Sequence, residues 1–187
     1  MNTLIRSIEA EYRRYKALAE AAIAQVPEAD LSQPGPASGN SLATICWHVA
    51  GNLQSRFTDF LTSDGEKPWR DREQEFAART VSRAELLARW QQGWAPLLST
   101  LGQLTDADLT ATIMIRGQPL AVHEALHRSL AHASYHVGQI VYLSHAICGT
   151  GWRYLSIPPG GSAAYNADPR YERAGAHAYS LDRQPAT

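Results

Sequence analysis

Residues 120–148 read LAVHEALHRSLAHASYHVGQIVYLSHAIC, and this segment sets the fold class. Its apolar side chains recur every three or four positions between Val122 and Val141. That spacing is typical of one face of an amphipathic α-helix. Pro119 suits the first turn of such a helix, and Gly149 suits its end. The segment therefore predicts a helix on the order of 40 Å long.

Three further helices are predicted from the same periodicity. Their predicted bounds are about 4–26, 41–61 and 82–104. Pro27 ends the first helix, and either Asn40 or Ser41 is the N-cap of the second. Ser82 with Glu85 forms a capping box at the start of the third helix.

The connections between these helices differ in length and character. Residues 62–80 are charge-dense and contain Gly65 and Pro68, which predicts a long ordered connection between the second and third helices. Residues 111–116 are rich in β-branched side chains and predict a short extended segment. Four amphipathic helices joined in this way predict an all-α protein, a four-helix bundle.

The composition changes near the C-terminus. From Thr150 the chain is rich in Gly, Pro, Tyr and Arg, and no helical period survives. We expect one bundle domain over residues 1–166 and an irregular C-terminal tail over residues 167–187. The segment 156–166 either closes over the open end of the bundle or packs as a tail, since both arrangements share this composition.

The overall charge and the cysteines limit which partners and which cellular compartment we expect for the protein. The chain of 187 residues carries 17 Lys and Arg against 18 Asp and Glu, a net charge of −1. With no block of basic residues, neither nucleic acid nor an anionic membrane is an expected partner. Cys46 and Cys148 form no CxxC motif, and there is neither a signal-peptide core nor an apolar run of about 18 residues. These features predict a cytoplasmic protein.

Five histidines lie on the last predicted helix, which indicates a metal site. They are His123, His127, His132, His136 and His145. At about 100° per residue, His132 and His136 lie about 40° apart and one turn along, so both imidazoles can reach one ion. His123 and His127 form a similar pair about half a revolution away, and the two pairs cannot share a site. The pair His132 and His136 is preferred because small residues beside it leave room for an ion and a ligand.

A third ligand has to come from another helix, because catalytic metal sites typically use three protein ligands and leave one position open. His48 lies on the second predicted helix, outside its apolar centre, and is the candidate. A single helical histidine is also often a surface residue or a hydrogen-bonded core residue, and this alternative stays open.

Two motifs resemble a known superfamily. Residues 47–52, WHVAGN, and residues 132–140, HASYHVGQI, are similar to the DinB-like (DinB/YfiT-type) superfamily of metal-binding four-helix bundles. The similarity extends over about residues 5–166. Three shorter motifs resemble a branch known only as a domain of unknown function: SRF at 55–57, DGEKPWR at 64–70 and LSIP at 155–158.

The resemblance implies a site and a function. It implies a divalent ion in a protein that is commonly a homodimer, and we expect the ion to be zinc or nickel. The implied ligands are His48, His132 and His136. His123 and His127 match no ligand of the superfamily and are left out of the site. Since the superfamily contains metal-dependent thiol transferases and a thiol-dependent isomerase, we expect a small-molecule ligand and a low-molecular-weight thiol as cosubstrate.

Two alternatives to this thiol-dependent S-transferase or isomerase remain. The first is a non-catalytic stress-response or ligand-binding bundle whose metal site is structural or vestigial. The second is a hydrolase that uses metal-bound water, with Glu66 or Glu75 as the nearby base. No catalytic residue is assigned beyond the metal ligands.

Other side chains are candidates for the pocket around the ion. They are Asn52, Arg56, Tyr135 and Gln139. Asn52 lies one turn after His48, and the others flank the proposed ligands in sequence or can recognise an anion. Arg70, Arg72 and Arg116 are further candidates for anion recognition, with solvation or pairing to an acid as the alternative. The charged loop 64–75 is expected to order a connection rather than to line the mouth of a cavity.

Three residues are assigned to the core rather than to the site. Cys46 points into the apolar stripe, about 160° from His48, and is predicted to be a buried, inert thiol. Trp90 and Trp94 lie one helical turn apart and are predicted to be core or dimer-contact residues.

Overall fold

The computed structural model describes residues 3–169, and most of them are helical. The helices are α1 Thr3–Ile23, α2 Leu42–Phe57, α3 Arg72–Glu75, α4 Arg83–Gln103, α5 Val122–Cys148 and α6 Ser162–Ala167. Strands β1 Thr112–Ile115 and β2 Gln118–Ala121 pair antiparallel as a hairpin. No other sheet occurs in this part of the chain. The prediction of a mostly helical fold is confirmed.

The four long helices pack mainly in two pairs, α1 against α5 and α2 against α4. A Cβ placed on Gly93 would lie 2.3 Å from the Cα of Ala50, so the backbones of α4 and α2 touch at this glycine. Tyr12 of α1 is fully buried, and its hydroxyl donates a hydrogen bond to the Leu126 carbonyl of α5 at 2.8 Å. Trp90 and Trp94 are both fully buried in the core.

The caps of two helices agree with the sequence. The Ser82 hydroxyl accepts from the Glu85 amide, and the Glu85 carboxylate accepts from the Ser82 amide, so the predicted capping box is present. Of the two N-caps proposed for α2, Ser41 fills the role, because its hydroxyl accepts from the Thr44 amide. Side-chain caps satisfy amides that the first helical turn leaves unpaired.

The prediction that the second helix reaches about Leu61 is wrong. The helix ends at Phe57, because Thr58 is extended and Asp59 takes the left-handed conformation with φ of 50°. Phe60 is nevertheless buried. The apolar spacing therefore continues past the end of the helix, because Phe60 is buried without being helical.

The last long helix begins at Val122 rather than at Leu120. Pro119, predicted for the first helical turn, instead lies in β2 opposite Met114. The extended segment predicted at 111–116 is confirmed as β1, and its partner strand was not predicted. Gly149, with φ of 54°, ends α5 as predicted.

The long connection between α2 and α4 is ordered and joins the hairpin. The Gly65 amide donates to the Met114 carbonyl at 2.8 Å. The Asp64 carboxylate accepts from the amides of Arg116 and Gly117, at 2.8 and 2.7 Å. The loop and the hairpin therefore hold one another in place.

The segment after α5 packs on the end of α1. The Gln25 side chain donates to the Arg153 carbonyl at 3.1 Å and accepts from the Arg153 amide at 2.8 Å. Residues 156–168 line a separate surface cleft beyond this contact. Most of the predicted tail, residues 170–187, lies outside the described residues. Between residues 3 and 169, no helix is long and apolar enough to cross a membrane.

Candidate metal centre

Three histidines from two helices converge beside the core. His48 comes from α2, and His132 and His136 come from successive turns of α5. One ring nitrogen of each lies within 4.8 Å of the corresponding nitrogens of the other two. The residues expected to form the site are therefore brought together, and this group can hold a metal ion.

The spacing of His48 and His132 suits a shared tetrahedral ion. The Nε2 atoms of His48 and His132 are 3.2 Å apart. Two nitrogens bound to zinc at about 2.05 Å in tetrahedral geometry lie about 3.3 Å apart. These two nitrogens therefore lie at nearly the separation that a shared ion requires.

The imidazoles on α5 are held in the neutral form that metal binding requires. Burial, followed by the charges of His136 and His48, lowers the pKa of His132 to about 4. Burial also lowers the pKa of His136, although the hydrogen bond with Gln139 acts in the opposite direction. Neither ring has to lose a proton near neutral pH before an ion binds.

The outer ring nitrogens of the three histidines differ in their partners. His48 Nδ1 lies 2.9 Å from Glu75 Oε2, and His136 Nδ1 lies 2.8 Å from Gln139 Oε1. His132 Nδ1 is buried and has no hydrogen-bond partner among residues 3–169. Such contacts fix the tautomer and orientation of a metal-binding imidazole. Two of the three rings are therefore oriented by a side chain.

Glu75 is the last residue of α3, which begins after Asp71 as its N-cap. The buried Arg70 guanidinium donates two hydrogen bonds to the Glu75 carboxylate, from Nε to Oε1 at 2.8 Å and from Nη2 to Oε2 at 2.9 Å. Burial by itself would raise the pKa of Glu75, but the hydrogen bonds from Arg70 and His48 outweigh it and lower the pKa. A charged Glu75 accepts from His48 Nδ1–H, which leaves the Nε2 lone pair free toward the centre of the site.

A glycine makes room for this carboxylate. Gly51 follows His48 by three residues on α2, and a Cβ at that position would lie 2.1 Å from Glu75 Oε1. The Phe76 ring, next to Glu75, covers the His48 ring with 4.6 Å between centroids. Glu75 therefore approaches α2 at a position where no side chain is in its way.

A cavity of about 450 Å³ opens beside His48 and His132. Asn52 and Arg56, both predicted to be pocket residues, line it. The Arg56 guanidinium also binds Glu66, with distances of 3.0 and 3.1 Å to Oε2. The loop 64–75, expected only to order a connection, places Arg70 in the cavity wall and Glu75 on His48, so that expectation is too narrow.

The remaining predicted residues fall in different places. Gln139 contacts His136 as described, whereas Tyr135 is 64% exposed with its ring 5.0 Å from the His136 ring. Cys46 is fully buried, which raises the pKa of its thiol and agrees with an inert core residue. His123 is bound to the Leu109 carbonyl at 2.9 Å and takes no part in the site.

Two residues of the site were missed by sequence reasoning or given another role. The sequence suggests Glu75 only as a general base, and it gives Gly51 no role beyond its place in the motif at 47–52. A signal for Gly51 exists, since a glycine three residues after a ligand on the same helix face indicates a close approach. Nothing in the charged loop separates Glu75 from the acids around it.

The fold and the site define a mostly helical protein with a candidate three-histidine metal centre. The family model described as "Protein of unknown function (DUF1572)" matches residues 1–161, and the chain belongs to this family. No curated protein and no solved structure matches the chain.

Proposed function

We propose that this chain is a DinB-like metalloprotein that acts as a thiol-dependent S-transferase or isomerase. In this proposal a divalent ion, zinc or nickel, is held by His48, His132 and His136, and a low-molecular-weight thiol is the cosubstrate. The observation that carries the proposal is the convergence of three ring nitrogens within 4.8 Å beside an open cavity.

The packing of the helices supports a four-helix bundle of this type. Besides the two main pairs, α1 contacts α4 and α2 contacts α5. Each long helix therefore touches two of the others, as in a closed bundle whose facing helices supply a metal site.

The residues around the ion would leave it reactive. Three neutral imidazoles keep most of the positive charge on a divalent ion, which when bound supplies Lewis acidity and a position for a thiolate. Glu75 holds His48 in the tautomer that presents Nε2, and Gln139 does the same for His136. Asn52 and Arg56 lie in the cavity wall, where a bound thiol or its acceptor would contact them.

The hydrolase alternative has less support, because both acids considered as its base are engaged. Glu75 is bound by Arg70 and His48, and Glu66 is bound by Arg56 and Arg116. A general base needs a free lone pair within reach of the water it activates. The non-catalytic bundle with a structural or vestigial ion remains the second candidate, because the same site would serve it.

We also propose that the protein is a cytoplasmic homodimer. Both cysteines are unpaired, which suits a reducing compartment. Residues 129–152 contain no charged side chain, yet the outer side of α5 exposes Tyr135 and Tyr142 at 64% and 73%. An uncharged, aromatic helix face is typical of a subunit contact. The molar mass in solution tests the assignment, and a monomer at all concentrations would contradict it.

Spectroscopy of the cobalt-loaded protein tests the thiol-dependent activity. We expect small thiols to shift the absorption of bound Co²⁺ and to introduce a thiolate-to-cobalt band, while the corresponding alcohols have no effect. The His132→Ala variant serves as the control and should show neither change. A cobalt spectrum that stays constant across several thiols would contradict the thiol-dependent function and favour the non-catalytic bundle.

A further inference from the structure

The cavity beside the histidines is strongly basic. It extends from His48 and His132 along α2 and α5 to the hairpin, and its volume of about 450 Å³ suits a small organic ligand. Five guanidinium groups line it, those of Arg56, Arg70, Arg72, Arg116 and Arg128. Among the described residues, no Asp or Glu belongs to the lining.

The nearby carboxylates neutralise only part of this charge. Glu75 is occupied by Arg70. The single carboxylate of Glu66 is shared by Arg56 and Arg116, at 3.0 and 2.9 Å. Two acids thus serve three arginines, which leaves an excess of positive charge in the cavity wall.

The last two arginines are less constrained. Arg72 is half exposed, lies 3.5 Å from the exposed Glu73 and stacks on the Phe76 ring. Arg128 forms neither a hydrogen bond nor an ion pair with any residue between 3 and 169. It is the guanidinium most available to a ligand.

The position of Arg128 relates it to the metal centre. Arg128 precedes His132 by four residues on α5, so the two side chains lie on one face about 6 Å apart along the helix axis. Phe57, Phe60 and Leu120 add an apolar surface to the same cavity. A ligand that reaches both Arg128 and the histidines therefore needs an acidic end and a short apolar body.

We propose that this cavity binds a small organic acid, with its carboxylate on Arg128, its apolar body on Phe57, Phe60 and Leu120, and its other end toward His132. This inference rests on the proposed function for the chemistry at that other end. It adds a substrate class, a carboxylic acid, and a residue that determines specificity. A guanidinium pairs with a carboxylate through two parallel hydrogen bonds, and an alcohol of the same shape cannot replace that contact.

Calorimetric titration of the full-length protein tests the inference. The probes are 3-phenylpropionate, the corresponding alcohol 3-phenylpropanol, and inorganic phosphate. We expect the acid to bind at least about tenfold more tightly than the alcohol, because a bidentate, charge-assisted pair is about twice as strong as a neutral hydrogen bond. Equal affinity of acid and alcohol would overturn the proposal. So would phosphate binding as tightly as the acid, because the apolar body would then contribute nothing.

Variants assign the preference to a residue. Arg128→Gln should remove most of the preference for the acid, and Arg128→Lys should restore part of it. Arg153→Gln, an exposed arginine on the segment after α5, is the matched control and should retain the full preference. Circular dichroism establishes that each variant is folded. A preference that survives in Arg128→Gln would overturn the assignment.

Titrations before and after chelation separate this inference from the proposed function. If an ion held the carboxylate, chelation would abolish the preference and Arg128→Gln would not, which would overturn the inference. If the purified protein holds no ion and the preference still depends on Arg128, the inference stands and the metal-dependent function fails.

Discussion

Helix α5 carries two histidine pairs with the same four-residue spacing, and their surroundings differ. His132 and His136 face His48 of α2, with ring centroids 5.2 and 4.8 Å from the His48 ring. Among residues 3–169, His123 and His127 face no third histidine; His123 binds the Leu109 carbonyl and His127 is exposed. Equal spacing on one helix therefore produces a site in one half and none in the other.

The difference comes from what packs opposite each half of the helix. The site half faces α2, and α2 in turn receives Glu75 from the loop that contains α3. The other half packs against the 3-10 turn at 106–110, where the Leu109 carbonyl accepts from His123 Nδ1–H. A helical pair supplies two ligands, but the third ligand and the orienting carboxylate have to come from the facing elements.

The largest expected effect is on metal content, when histidines of each pair on α5 are substituted in turn. We expect protein purified without added metal to hold close to one equivalent of a divalent ion. In His132→Ala or His136→Ala that content should fall about tenfold or more, because two imidazoles remain where a stable site needs three. The matched variants His123→Ala and His127→Ala should keep the wild-type content. Elemental analysis of the purified proteins measures it, and equal metal content in all variants would contradict the site.

The next effect concerns Glu75, which has no counterpart beside the other pair. Glu75→Gln should weaken zinc affinity about 10- to 100-fold, as loss of a carboxylate partner does for other metal-binding imidazoles. It should also lower the melting temperature, because the buried guanidinium of Arg70 loses its counter-charge. Competition with a chromophoric chelator measures the affinity.

Glu73→Gln is the control for this variant, because Glu73 lies on the same short helix and its side chain is 88% exposed. It should change neither the affinity nor the melting temperature. Wild-type affinity in Glu75→Gln would mean that His48 is oriented without its carboxylate.

The sequence predicts the features of the fold that depend on short-range properties. The long helices follow from apolar periodicity, and the caps at Ser41 and Ser82 follow from local side-chain chemistry, because both are short-range properties. The end of α2 and the strand containing Pro119 were mispredicted, since burial of Phe60 continues the period and proline suits a strand edge as well as a helix start.

The site, like the fold, was predictable only in part: the histidines were predicted and the residues that contact them through the loop were not. Spacing on α5 predicts two candidate pairs, small neighbouring residues favour His132 and His136 with His48 as the candidate third ligand, and the resemblance to DinB-like proteins implies the same three residues. Glu75 was not predictable as the partner of His48, because the two residues are 27 positions apart and meet through a tertiary contact made by an irregular loop. The availability of Arg128 is equally a tertiary property, since it depends on which acids its neighbours bind.

Gly51→Ala tests whether the approach of the loop to α2 matters. The added Cβ would lie 2.1 Å from Glu75 Oε1, so the carboxylate has to move away from its present position. We expect zinc affinity to fall on the order of tenfold, less than or similar to the loss in Glu75→Gln. The melting temperature should also fall, because overpacking at this contact outweighs the higher helix propensity of alanine.

Gly138→Ala is the control, because Gly138 is an exposed residue of α5 with open space at its Cβ position. Its zinc affinity should be unchanged and its stability slightly higher, by about 0.5–1 kcal/mol from helix propensity. If Gly51→Ala behaved like Gly138→Ala, the close approach of Glu75 would have no role in the site.

The smallest effect is expected at Gln139, whose side-chain oxygen accepts from His136 Nδ1–H at 2.8 Å. Because this acceptor is neutral and partly exposed, Gln139→Ala should weaken zinc affinity only about three- to tenfold, whereas Gln139→Glu should strengthen it, since a charged acceptor makes the bond stronger. Repeating both substitutions in the His136→Ala background completes a double-mutant cycle. The effects should vanish there if Gln139 acts through His136. Effects that persist in that background would mean that Gln139 does not act through His136. The orientation of His136 would then depend on helix packing alone.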